Sequence, residues 1–251
     1  MNKLTKKNSK GKKLSLAIHT VFILKENILF LEEWIKYHIN IGFNKIYLYD
    51  NTGSIGEGHK DSNKKIVNKY NINYNKLITN LHTKKKFKII MDKYKDNLVY
   101  IKWQPKDKKG NIIYGQNESI SDYIVNYREE NDWTAFIDVD EFIYLKNKSL
   151  KNFILDKDKK SYTKIILQQK KFKDRFCSLE KSVFEINDSL KHDKDFIDWA
   201  PKNICKNINM SEDQYIHIHN ISMKKKKYYR CDINELRFNH YNINKKQIEW
   251  M

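Results

Sequence analysis

Two prolines, seven glycines and three cysteines in 251 residues rule out several kinds of protein at once. So little Pro and Gly excludes a low-complexity or linker-rich chain. Cys177, Cys205 and Cys231 are odd in number and far apart, which makes neither a disulfide framework nor a zinc motif; they read as free thiols of a reducing compartment. Long hydrophobic runs are missing too. The best candidate, 14–24, is interrupted by His19 and is too short to span a bilayer. It carries no small-residue cleavage site, so neither signal peptide nor membrane anchor is expected, and the expected location is cytoplasmic.

Arginine is scarce as well. Arg128, Arg175, Arg230 and Arg237 are the only four among 49 basic residues, which outnumber 31 acidic ones for a net charge of +18. Such a surface attracts polyanions, whether nucleic acid, an anionic nucleotide-sugar or an acidic membrane. Lysine carries the charge, however, whereas arginine is the preferred residue for bidentate base and phosphate contacts. The joint abundance of Lys, Asn and Ile reads as the coding bias of an AT-rich genome. No specific nucleic-acid partner is therefore expected, although peripheral membrane contact through the basic surface remains compatible.

What is present is enough for a folded domain, with 40% hydrophobic and 13% aromatic residues. Residues 1–13 are expected to form a disordered basic tail and 14–251 a single domain. "LSLAIHTVFIL" (14–24) is a continuous apolar run expected to be a buried strand. From Ile28 to Ile41 the period becomes helical, with Ile28, Leu31, Ile35 and Ile39 on one face and Gly42 placed as the C-terminal cap. "NKIYLYDN" (44–51) follows as a second strand. A strand–helix–strand unit of this kind builds parallel sheets. Residues 61–96 read as helix plus irregular surface, "NLVYIKW" (97–103) as a third strand, Gln116–Glu130 as a helix and "WTAFID" (133–138) as a fourth strand. A short helix at 150–155, a strand at 163–169 and an alternating edge strand at 213–223 complete the readable pattern, before a final helix "KKQIEWM". The expected class is α/β, a Rossmann-type open mixed sheet, mostly parallel and flanked by helices.

In "DWTAFIDVDEFIYL" (132–145), an apolar strand runs into Asp138, Asp140 and Glu141. Three carboxylates beside a hydrophobic segment repel one another and resist burial, so a cation must compensate them. Asp-x-Asp puts two side chains on one side of an extended segment, roughly 7 Å apart between Cα atoms. A turn there can converge both on a hard divalent cation that still has room for phosphate oxygens. On its own the pattern is more often a solvated turn with a capping aspartate. Position favours the metal, because ligands of open α/β sheets bind beyond the carboxyl ends of the strands, where Asp50 and Asp138/Asp140 both fall.

The block "WTAFIDVDEFI" resembles the "W-hydrophobic-D-hydrophobic-D-E-F" segment of glycosyltransferases with the GT-A fold, those of family 92 and their family 2-like relatives. "LKENILFLEEWIKYHINIGFNKIYLYDN" (24–51) is similar to that family's "R-N-E…E-W…Y-H…G…Y-D-N" opening, and "RFNHYNINKKQIEW" (237–250) to its "N-H-Y…K-S…E" ending. "YGQNES" (114–119) and "APKNICKN" (200–207) match two blocks between them, the second preceding a His-rich strand. The sequence departs at Lys25-Glu26-Asn27, where the family has Arg-Asn-Glu, and at Lys245-Lys246, where it has Lys-Ser. The resemblance implies transfer of a hexose from a nucleotide-sugar, UDP-sugar favoured, to a hydroxyl of a glycan or other acceptor with inversion. It implies Mn2+ or Mg2+ as cofactor, with Asp138, Asp140 and His240 as ligands. The donor would then meet Thr20 of the first strand, Asp50, Asn51, Gln116, Asp138 and Lys202.

An inverting transferase also needs a general base, and Glu141, Asp195, Asp198 and Asp213 are all open candidates. Glu141 could instead brace the metal motif. His38 reads as structural. His217 and His219 have metal-like spacing on one strand face but no carboxylate or cysteine set to complete a site. A nuclease-like protein holding magnesium for phosphodiester chemistry is the alternative class, and it would want further converging acids and an arginine-rich groove.

Overall fold

The computed structural model describes residues 14–54, 80–146, 149–172, 197–212 and 216–241. The expected basic tail, Asp195, Asp213 and the expected final helix lie outside the described residues, as does the side chain of Asp198.

The first strand, β1 (Leu16–Phe22), is buried along its whole length. It lies between β2 (Lys45–Asp50) and β4 (Trp133–Phe136), parallel to both, with β3 (Leu98–Lys102) beyond β2. The sheet continues past β4 through β7 (Ile197–Lys206), β6 (Lys164–Phe172), β11 (Leu236–Tyr241) and β5 (Glu141–Leu145), while the short β10 (Tyr228–Arg230) pairs with β6. Within this sheet, among the described residues, pairing is antiparallel at β4–β7, β7–β6 and β11–β5 and parallel elsewhere. The result is a mixed, mostly parallel sheet. Because β1 leads outward to β2 and β3 on one side and the chain returns to β4 on the other, strand order reverses at the β1/β4 boundary. A crevice therefore opens at their carboxyl ends.

Helices cover both faces. Helix α1 (Leu24–Ile41) buries Ile28, Leu31, Trp34 and Ile35 against one face, joined there by α2 (Asn80–Lys93) and α4 (Leu150–Lys159). Helix α3 (Gln116–Asn126) buries Ile120, Tyr123 and Ile124 against the other. Helix α1 ends as expected at Gly42, whose φ of 119° is left-handed. The Gly42 N–H donates to Ile39 O and the Phe43 N–H to His38 O, the paired bonds of a Schellman motif. Its start is four residues earlier than the periodicity at Ile28 suggests. The N–H of Ile23 donates to Asn27 Oδ1 and that of Leu24 to Thr52 Oγ1, so the opening turn is secured partly from a distant loop.

Beyond residue 170 the departures are larger. Residues 213–215 of the expected strand at 213–223 lie outside the described residues, and the rest holds two short pieces, β8 (Ile216–His217) and β9 (Asn220–Ile221), paired as a separate hairpin. Ile218 and Ile221 of this hairpin pack into the core that α3 shares with the sheet face carrying Tyr49, Phe136 and Cys205, so its apolar residues are buried between that helix and the main sheet. No helix among the described residues is long and apolar enough to cross a membrane.

His38 is structural, as the sequence suggested. Its Nδ1–H donates to Trp34 O, and its Nε2 accepts from the Ile143 N–H, so the ring is neutral. Burial lowers its pKa to about 3. The unfolded chain therefore binds a proton near pH 6.5 that the folded chain refuses, and stability contributed by this residue is lost as pH falls from 6.5 toward 3. His38→Asn should destabilise the protein at pH 7. Since the variant lacks the acid-sensitive group, the gap to wild type should narrow by about 1 kcal/mol at pH 5.5. Urea titrations at the two pH values check this, and a gap independent of pH would contradict a buried neutral imidazole.

Candidate active site

The chain leaves β4 at Phe136, crosses the carboxyl end of the sheet through 137–140 and re-enters it as β5. Val139 and Phe142 are buried in the core beneath this crossing, while Asp138 keeps 30% of its side chain exposed. The backbone is pinned from several directions. Glu141 N–H donates to Asp138 O, Tyr241 N–H to Asp140 O, and the Trp34 indole to Glu141 O at 2.7 Å. Trp34 sits on α1, so the helix that starts after β1 fixes the acidic turn after β4.

Asp138 is clamped at both oxygens. Oδ1 accepts from Gln116 Nε2 and Oδ2 from Lys202 Nζ, each at 2.7 Å. Gln116 opens α3, and its position depends on Gly115, whose φ is 56°. A Cβ there would stand 2.5 Å from Pro105 Cγ, so only glycine lets the helix begin at this point. Lys202 comes from β7 and is buried, with its Nζ also 3.3 Å from Glu141 Oε2. Burial disfavours the lysine's charge, but Asp138 and Glu141 together outweigh it and raise its pKa above the ordinary value. Glu141 Oε2 also accepts from the Asp138 N–H. Its carboxyl is raised well above the ordinary carboxylate range, chiefly by burial, with Lys202 opposing.

The second cluster is Asp140, Glu141 and His240. One potential ligand atom from each lies within 4.8 Å of the other two. The β11–β5 ladder makes this possible: His240 is the register partner of Glu141, which brings residues a hundred apart in sequence side by side. His240 Nδ1 is 2.9 Å from Gln169 Oε1, and Nε2 is 3.3 Å from Asp140 Oδ2. An amide oxygen only accepts, so Nδ1 carries a proton and Nε2 faces the carboxylates. Burial lowers the imidazole's pKa, but the Asp140 and Glu141 carboxylates reverse the sign and leave it above the ordinary value.

A scan against protein-family models matches glycosyltransferase family 92 over residues 12–251. The chain belongs to that family. It is thus a glycosyltransferase by descent, and the matched span includes both clusters. No curated protein sequence matches it. Among solved structures it is similar to a UDP-glucose pyrophosphorylase complexed with UDP-glucose, with 12% identity over 93% of this chain and 92% of that one, and a TM-score of 0.36.

Set against the residues expected from its sequence, this family 92 protein brings Gln116, Asp138, Asp140, Glu141, Lys202 and His240 together. Asp138 turns to Gln116 and Lys202, while Glu141 stands with Asp140 and His240. Thr20 is buried near the end of β1, and its hydroxyl has no hydrogen-bond partner among the described residues. Asp50 accepts from Thr52 N and from the Tyr100 hydroxyl. Asn51 is fully buried and donates to the Trp103 and Ile113 carbonyls, which ties the ends of β2 and β3 to the loop before α3. Gln169 was not foreseen. Its one signal was a polar Gln168-Gln169 pair at the end of an apolar strand.

Proposed function

We propose that the protein is a metal-dependent transferase that moves a hexose from a nucleotide-sugar, UDP-sugar favoured, to a hydroxyl acceptor with inversion. Membership of family 92 supports the reaction class. The observation that carries the metal is the Asp140–Glu141–His240 group beside the crevice at the β1/β4 ends.

The donor set fits a divalent cation such as Mn2+. It joins two hard carboxylates to an imidazole, a ligand that suits manganese better than magnesium. The hydrogen bond from His240 Nδ1 to Gln169 is the outer support by which ligating histidines are commonly oriented, and it aims Nε2 at the carboxylates. When bound, such an ion would neutralise the charge of the departing diphosphate. The protein's own residues do the rest. Asp138, gripped by Gln116 and Lys202 and still partly exposed, presents a fixed carboxylate, as a hydroxyl-binding group for donor sugar or ribose would. Lys202 adds positive charge beneath it. Thr20 at the end of β1 offers a buried hydroxyl with spare hydrogen-bonding capacity.

Thermal melts with UDP or GDP, each with and without Mn2+, test the reading, followed by a donor-hydrolysis screen over a panel of nucleotide-sugars. A rise in Tm that requires nucleoside diphosphate and metal together is expected. Equal stabilisation by DNA without metal, and none by any nucleoside diphosphate, would sink it.

A further inference from the structure

The hairpin β8–β9 is held against the site at two points. Ile218 N–H donates to Asn117 Oδ1 at 3.1 Å, and the His219 ring nitrogen Nδ1 lies 3.0 Å from Pro201 O. The residues next to these two anchors, Gln116 and Lys202, are the ones that grip Asp138. His219 is therefore stationed beside the Asp138 clamp, close enough for both Lys202 and Asp138 to act on its charge. It arrives from the α3 face of the sheet, whereas Asp140, Glu141 and His240 belong to the β5–β11 end.

The tautomer of His219 follows from its partner. Pro201 O can only accept, so Nδ1 carries the hydrogen and Nε2 carries the lone pair. The backbone N–H of His219 donates to His217 Nδ1 at 3.2 Å, which fixes the turn that presents the ring. Nε2 has no hydrogen-bond partner among the described residues, and the ring is only half-buried. An imidazole oriented by a hydrogen bond at Nδ1, with a free Nε2 beside a binding crevice, is arranged as a general base.

Resting on the transferase reading above, we propose that His219 is the residue that takes the proton from the acceptor hydroxyl. The acceptor O–H proton passes to Nε2. The oxygen's electron pair forms the new bond to the anomeric carbon, and the bond from that carbon to the diphosphate oxygen breaks with its electrons going to the diphosphate. The histidine then returns its proton to solvent. In the free protein, burial and the nearby Lys202 charge keep the ring neutral, with a pKa of about 4, so Nε2 is available across the physiological range. A diphosphate bound near Lys202 would offset the lysine's charge and strengthen the base as substrate arrives. No carboxylate then has to serve as base, and Glu141 is left to the metal group.

The test uses the full chain, Mn2+ and whichever nucleotide-sugar the wild type hydrolyses, with water as acceptor. His219→Asn should keep the wild-type Tm and the metal-dependent Tm rise with UDP, while donor turnover falls about a hundredfold or more. His219→Ala, which also gives up the bond to Pro201 O, should lose turnover likewise and regain it when free imidazole is added, with a pH dependence set by the added base. Turnover of His219→Asn within about threefold of wild type would overturn the assignment. So would loss of the UDP–Mn2+ shift in step with turnover, because His219 would then belong to donor binding. If the wild type shows neither the UDP–Mn2+ shift nor turnover of any donor, the transferase reading fails first and takes this assignment with it.

Discussion

Asp140→Ala is expected to abolish the metal-dependent stabilisation by nucleoside diphosphate and to cut donor turnover about a thousandfold or more, since a bound cation contributes several kcal/mol of charge stabilisation. The reasoning starts from placement. Asp140 is buried, its Oδ2 faces His240 Nε2, and the Tyr241 N–H holds its backbone oxygen, so the carboxylate has little freedom to be replaced by another group. Without it, the donors left are His240 and Glu141, whose carboxyl is drawn toward Lys202. The metal-free protein should nonetheless melt within a few degrees of wild type, because removing one of three neighbouring carboxylates relieves repulsion as it removes the His240 partner. Melts and turnover assays with and without Mn2+ decide the matter. Turnover that survives in Asp140→Ala, or a UDP-induced shift that persists in it, would remove the metal from the proposed reaction.

Lys202→Met should do the opposite, with the main loss in stability. Lys202 is the buried cation between Asp138 and Glu141. Deleting one partner of a buried ion pair leaves uncompensated charge and costs about 3–5 kcal/mol. In a chain of this length that lowers Tm by about 10 °C. Glu141 is the more buried of the two carboxylates, so a second change, Glu141→Gln, should recover part of the loss by removing the charge that Lys202 had balanced. Thermal melts of the two single variants and the double variant give the coupling directly. A drop of only a degree or two in Lys202→Met would mean that the carboxylates do not depend on this lysine.

Much of the parallel half of the sheet was legible because its signals are local. An apolar run, a 3.6-residue period ending at Gly42 and a second apolar run specify β1, α1 and β2 with nothing else in view. The half beyond residue 170 was less legible. In β7, Lys202 interrupts the apolar pattern, and its burial is intelligible only once Asp138 and Glu141 are beside it. The β8–β9 hairpin alternates like an edge strand, but its apolar side is buried against α3 and the main sheet together, contacts no window of sequence contains. The opening of α1 was misplaced by four residues because Thr52, a loop residue, supplies one of its hydrogen bonds.

The site divides in the same way. By itself, the sequence determined that acidic residues end the fourth strand, that they need a compensating cation, and that Asp138, Asp140, Lys202 and His240 were worth watching. Whether that cation was a lysine or a metal could not be read from charge, since lysines are everywhere in this chain. The tertiary structure shows where the lysine goes and which residues could hold a metal. Lys202 rises from an antiparallel strand to hold Asp138, while the β11–β5 register brings His240 to Asp140 and Glu141 in a geometry suited to a divalent ion. Strand register and crossing loops made that division, because they fix which oxygens lie within reach of which nitrogen. Those distances depend on pairings a hundred residues apart, beyond the reach of any local pattern.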